Sequence, residues 1–282
     1  MPLPSRGHSP GPVFITDAST PRHLPRAIAD LVGGIAQWRL SWALAMLDLR
    51  NRYRGSGLGP LWLTLATGVT VAGLGLVYSR LFQLPPEQYV PFLAVSLIVW
   101  GVIAQTVNES CVSLIGAEPI IRQVPLPFTV HVLRCVFRNL LVAAHNLPLI
   151  LVVLVWAGIM PGIQGLLAFA GLFLILVNAF FASLLLGMVC ARFRDIPPIV
   201  GNVLQLVFFM SPIIWKPELL REAARWLPLN PFYAVMETVR GPILGTAVPA
   251  GIWASAIGFT LMLAILAFAM FVRFRRRIAF WV

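Results

Sequence analysis

From Gly165 to Cys190 the chain carries no charged side chain. Arg192, Arg194 and Asp195 then arrive together before another apolar run begins at Ile199. A helix needs roughly 20 apolar residues to cross about 30 Å of hydrocarbon, and lipid cannot solvate adjacent charges. The chain must therefore cross a membrane and emerge at this charged, proline-closed corner, Arg192 to Pro198. Membrane barrels are built from short alternating segments, whereas the runs here are long and continuous. The fold class that follows is an all-α polytopic membrane protein. A composition 59% hydrophobic and only 11% charged over 282 residues excludes an ordinary soluble domain.

Six spans can be drawn, at Leu61–Ser79, Pro91–Ser113, Leu140–Met160, Gly165–Cys190, Ile199–Trp215 and Gly251–Val272. Ile199–Trp215 is the shortest, and Pro212 predicts a break near its far end. An even count puts both termini on one side. That side collects Arg39, Arg50, Arg52, Arg54, Arg122, Arg134, Arg138, Arg192, Arg194, Arg273, Arg275, Arg276 and Arg277. The opposite side holds Arg80, Lys216, Arg221, Arg225 and Arg240, several offset by Glu218, Glu222 and Glu237. Positive residues are retained in the cytoplasm, so both termini are expected there. The net charge of +11 is better explained by topology and anionic headgroups than by nucleic acid.

The chain divides into a Pro-rich flexible tail (1–26), an amphipathic segment (27–55) and the membrane domain (56–282). The tail has no apolar core of a cleaved signal. Leu31, Ile35, Trp38, Trp42, Ala45, Leu49 and Tyr53 recur at helical spacing, which predicts a helix lying in the headgroup plane. Leu40, Leu44 and Leu47 on its other side leave open a helix packed among its neighbours. Gly55-Ser56-Gly57-Leu58-Gly59-Pro60 gives the turn into the first span, with proline at its first position. Lys216 is the only lysine and is remote from these glycines, so the phosphate loop of ATP-hydrolysing domains is absent. A connector at Gly116–Arg138 contains a short segment, Ile120–Val124, between proline turns. Two short helices, Leu219–Leu227 and Phe232–Arg240, are expected to dip back into the membrane before the last span and cover an external exit.

Several pieces in order resemble the membrane permease subunit of bacterial polysaccharide-exporting ABC transporters, the Wzm group for O-antigen, capsule or cell-wall glycans. They are Asp48-Leu49-Arg50-Asn51-Arg52-Tyr53-Arg54, Leu58-Gly59-Pro60-Leu61-Trp62, Ile98-Val99-Trp100 and Val124-Pro125-Leu126-Pro127. Arg194-Asp195-Ile196, Ser211-Pro212-Ile213 and Asn230-Pro231-Phe232 complete the series. The resemblance spans about Trp38 to Val282; the N-terminal tail lies outside it. It implies a homodimer joined to two ABC ATPase subunits, which would hold the ATP and magnesium. It also implies a passage for a polysaccharide linked to undecaprenyl diphosphate. Ile120, Ile121 and Arg122, with Arg192, Phe193, Arg194, Asp195 and Ile196, match the segments near 116–127 and 192–198 that couple to the ATPase.

Each candidate has a plainer alternative. Arg194 and Asp195 either dock a partner or form a local surface pair and helix cap. Arg50, Arg52 and Arg54 either grip a diphosphate through guanidinium forks or contact bulk headgroups. Trp62, Phe92 and Trp100 either stack on sugar faces along the passage or belong, as Tyr78 does, to an interfacial aromatic belt. Gln105 and Glu109 either line the passage or bond between helices, and Asn178, Asn202, Gln205, His145 and Asn146 suit interhelical bonding. Cys111, Cys135 and Cys190 are scattered without metal-ligand spacing, and no cofactor or metal is expected on this chain. No base stands beside a nucleophile, so the expectation is a transport subunit and not an enzyme. A drug or small-lipid exporter is the nearest alternative; a membrane sugar or acyl transferase would need clustered acidic or histidine residues.

Overall fold

The computed structural model describes residues 23–59 and 61–282. The expected tail up to residue 22 and the expected role of Pro60 lie outside the described residues. Eleven α-helices form the described chain: α1 (His23–Ala36), α2 (Trp38–Arg52), α3 (Leu61–Leu81), α4 (Pro86–Val112), α5 (Glu118–Gln123), α6 (Phe128–Ala144), α7 (Leu147–Trp156), α8 (Leu167–Arg192), α9 (Ile196–Met210), α10 (Pro231–Ile243) and α11 (Ala250–Trp281). The described residues contain no strand. Five helical stretches are long and apolar enough to span a bilayer: Leu61–Leu81, Pro86–Val112, Phe128–Trp156, Ile163–Arg192 and Ala250–Trp281. The protein is an all-α polytopic membrane protein.

Three expectations need correction. The third span begins at Phe128, not Leu140, so Arg134 and Arg138 lie within α6 and not in a connector. Acidic partners described below neutralise them, which lets the helix start early. It breaks between α6 and α7 because Pro148 cannot continue the backbone ladder. Thr64 satisfies part of the break by donating to the His145 carbonyl at 2.6 Å.

The amphipathic segment is two helices, divided at Gln37. Their inner face is small and polar (Ala27, Asp30 and Gly34, then Ser41, Ala45 and Leu49), while Ile35 and Trp38 from the expected stripe are exposed. Gly34 has a specific reason: a Cβ there would come within 2.4 Å of the Thr129 side chain. The same exposure of Trp38, Leu40 and Leu47 leaves an apolar outer face for lipid.

The two short helices before the last span also differ from each other. Residues Pro217–Leu229 form a tight 3₁₀ stretch broken at Arg221, where φ is 49°. Only Leu227 is buried in it, because Glu218, Arg221, Glu222 and Arg225 keep it at the surface. The second, α10, is buried along α8. A Cβ on Gly171 would meet the Thr238 carbonyl oxygen at 2.5 Å, so only glycine lets these helices touch. The Asn230 side chain caps α10 by accepting from the Phe232 and Tyr233 amides, and it donates to Ser211 at 2.9 Å.

As Pro212 predicts, α9 stops at Met210. Fifteen residues rise only about 22 Å, so α9 alone does not cross the hydrocarbon. The non-helical Ser211-Pro212-Ile213 segment that continues the chain beyond it is buried throughout. Irregular backbone at this depth is tolerated because protein covers it. The main core joins α4, α7, α8, α9, α10 and α11 through Ile98, Trp100, Ile103, Ile175, Leu204, Met236 and Ala256.

An arginine clasp and two charged elbows at one end of the bundle

At the arginine-rich end, α2, α4 and α6 are tied by a chain of ion pairs. Asp48 on α2 accepts from Arg134 Nε at 2.7 Å and Nη2 at 2.5 Å, and from Arg138 Nη1 at 2.8 Å. Arg138 Nε donates to Glu109 on α4 at 2.8 Å, and Asn139 donates to the same carboxylate oxygen at 3.1 Å. The other Glu109 oxygen accepts from Arg52 at 2.8 Å. Spacing explains the geometry: Arg134 and Arg138 lie one turn apart and so share the face of α6 that meets α2.

Three arginines against two carboxylates leave one net positive charge in the clasp. The interior members are 12–18% exposed, whereas Arg52, at the open end, is 42% exposed. Burial by itself raises the Asp48 carboxyl, but its hydrogen bonds and charge pairing with Arg134, and then with Arg138, outweigh that and hold it below 3.8. Arg50 and Arg54 are exposed beside the clasp. Gly55 and Gly59 take positive φ values of 86° and 54°, producing the turn expected after them.

The two expected coupling segments lie at this same end. In α5, Ile120 and Ile121 are half-buried, while Arg122 is exposed and pairs with Glu118 at 2.9 Å. Arg192, Phe193, Arg194 and Asp195 are exposed, and Ile196 opens α9. Asp195 occupies the N-cap position of α9 but makes no side-chain cap bond. Both segments reach the end of α11: Arg122 donates to the Val282 carbonyl at 2.9 Å and Arg194 to the Trp281 carbonyl at 3.4 Å. Asp30 adds a second tie, accepting from the Phe128 and Thr129 amides at the start of α6 and from Arg275 of α11.

The aromatic candidates separate. Trp62 is 64% exposed on α3, but Phe92 and Trp100 are both 7% exposed. Trp100 packs against Phe208 and Phe232, and the Arg240 guanidinium lies 4.4 Å from the Phe92 ring centre. Phe92 and Trp100 therefore pack within the core of this chain, whereas Trp62 is open to its surroundings. Gln105 is half-buried with its amide 3.5 Å from Glu109, and Glu109 is taken up by the clasp. Among the described residues no group of three His, Cys, Asp or Glu side chains could hold a metal.

Two features escaped the sequence reading. Asp48 stands in the sequence as one member of a charged run, although two arginines one turn apart in an apolar helix require carboxylates nearby. Arg240, counted with the outer surface, is 1% exposed. It bonds Glu237, the Ser96 hydroxyl at 2.8 Å and the Pro212 carbonyl at 2.6 Å, fastening α10 to α4 and to the break after α9.

Residues 39–244 match the family model of the ABC-2 type transporter. An O-antigen export system permease protein RfbA from Myxococcus xanthus is 30% identical over 214 residues, 73% of this chain and 81% of the relative. Proteins of the same name from Klebsiella pneumoniae are 27% and 26% identical over 188 residues, 64% of this chain and 70% of theirs. The matched region contains the clasp, both elbows and the α10 fastening. By that match, the chain belongs to the ABC-2 type transporter family of membrane proteins.

Proposed function

We propose that this chain is the transmembrane permease subunit of an ATP-driven exporter that moves a lipid-linked polysaccharide across the bacterial inner membrane. In this reading two copies pair, and each engages an ABC ATPase subunit at its cytoplasmic, arginine-rich end. The observation that carries it is the extended similarity to O-antigen export permeases. The geometry agrees with a driven device. Elbows at Glu118–Gln123 and Arg192–Ile196 both contact the end of α11, so a push on either reaches the longest helix of the bundle. ATP binding in the partner then biases a rigid-body shift between closed and open arrangements. Arg50, Arg52 and Arg54 receive the diphosphate of the carrier lipid, and their charge complements it. Trp62, exposed beside them at the start of α3, offers a stacking face to the first sugars.

Deleting the gene and measuring surface glycan tests the proposal, together with purification of the tagged chain. The expected result is loss of long-chain glycan from the surface, its build-up on the inside, and co-purification of an ABC ATPase. Normal surface glycan in the deletion strain, alongside impaired efflux of drugs, would replace this reading with that of a small-molecule exporter.

A further inference from the structure

We propose that Arg52 has two positions: it rests on Glu109 and exchanges that partner for phosphate oxygens when a diphosphate arrives. This rests on the reading that the arginines after α2 receive the carrier lipid's diphosphate, and it adds a competing internal anion to that site. The asymmetry of the clasp is the argument. Glu109 is 12% exposed and is held by three groups besides Arg52: Arg138 at 2.8 Å, Asn139 at 3.1 Å and Gln105 at 3.5 Å. Departure of Arg52 therefore leaves the carboxylate with hydrogen bonds and a full counter-charge.

Arg52 is bound differently. It is the most exposed member, stands at the end of the chain of pairs, and is tied by one Nη2 contact at 2.8 Å. A guanidinium carries five N–H donors, so it can begin to bind an incoming anion before it lets Glu109 go. A half-exposed pair of this kind is weak. A diphosphate brings more charge and more acceptor oxygens than one carboxylate, which favours the exchange. Asp48, Arg134 and Arg138 stay fixed, because each of their contacts joins two partly buried groups. Glu109 thus sets the threshold for binding, and its release from Arg52 reports occupancy to the last turn of α4, which leads directly through Ile115–Ala117 into the α5 elbow.

The test is a mutant cycle on the full chain in neutral phosphatidylcholine nanodiscs, titrated with inorganic diphosphate and, separately, with a polyprenyl diphosphate in the disc. Arg52→Gln should weaken binding. Glu109→Gln should tighten it roughly two- to fivefold, the size of a lost half-exposed pair. In the Arg52→Gln background, Glu109→Gln should change nothing. Glu109→Asp keeps the charge beside Arg138 but shortens the reach to Arg52, and should reproduce the tightening if Glu109→Gln folds poorly. The same cycle with both probes assigns the site to the phosphates themselves; a response only to the polyprenyl form assigns it to the lipid headgroup, and either supports the exchange. Tightening that persists without Arg52 would overturn it, because Glu109 would then be acting as bulk negative charge. Weaker binding in a folded Glu109→Gln or Glu109→Asp chain would also overturn it. If Arg52→Gln leaves both affinities unchanged, the diphosphate reading of the arginines fails as well, an outcome distinct from the others.

Discussion

Asp48 is one carboxylate shared by Arg134 and Arg138, and its loss strands two partly buried guanidinium groups. Asp48→Asn should cost about 1–3 kcal/mol of stability, measured as thermal unfolding in detergent. Because its pairing holds Asp48 below 3.8, its contribution is present above that value and disappears as pH falls through the lowered one. Wild-type stability should drop in strong acid by more than that of Asp48→Asn. Arg240 poses the same problem at the other end, where Arg240→Met would leave Glu237, Ser96 and the Pro212 carbonyl short of a buried donor. That variant should lose roughly 3–5 kcal/mol in the same unfolding assay. The sequence made the arginines visible but not their partners. Asp48 and Glu109 are far apart along the chain and meet only because α2, α4 and α6 pack together.

Among the elements, the helices that hydrophobicity announces clearly are those with long runs free of charge. The apolar run of α8, for instance, appears within a residue or two of its sequence-read end at Cys190. The start of the third span was hidden because charge alone reads as solvent, and only a packed counter-charge makes Arg134 and Arg138 compatible with a spanning helix. The inner face of α1 and α2 was hidden for the opposite reason: Ala27, Gly34, Ser41 and Ala45 carry little hydrophobic signal yet permit the closest approach. Small residues do this work wherever membrane helices touch. At Gly171, where α10 meets α8, Gly171→Ala should destabilise by about 1–3 kcal/mol through overpacking. Limited proteolysis of the Pro217–Leu229 stretch leading into α10 should accelerate in that variant while Gly258→Ala, whose added Cβ meets nothing within 4 Å, leaves it unchanged.

For the whole molecule, the two charged elbows and the ends of the helices they touch are gathered at one end. The α5 elbow, the Arg192–Ile196 corner, the end of α11 and the α1–α2 pair are joined there by Arg122, Arg194 and Arg275. Elsewhere the buried Arg240 node ties α10 to α4 and to the break after α9. Order and spacing of short motifs made this architecture and its family legible, whereas the contact of both elbows with Trp281 and Val282 needed the three-dimensional arrangement. In the proposed mechanism, energy from a separate ATPase enters through those elbows. Proteoliposomes containing this chain and its ATPase, with hydrolysis and movement of lipid-linked glycan measured together, test it most directly in wild type and Asp195→Lys. Wild type is expected to transport only with ATPase and ATP, and Asp195→Lys to hydrolyse ATP while moving little glycan. Undiminished transport by Asp195→Lys, or transport by the chain with no ATPase present, would contradict it.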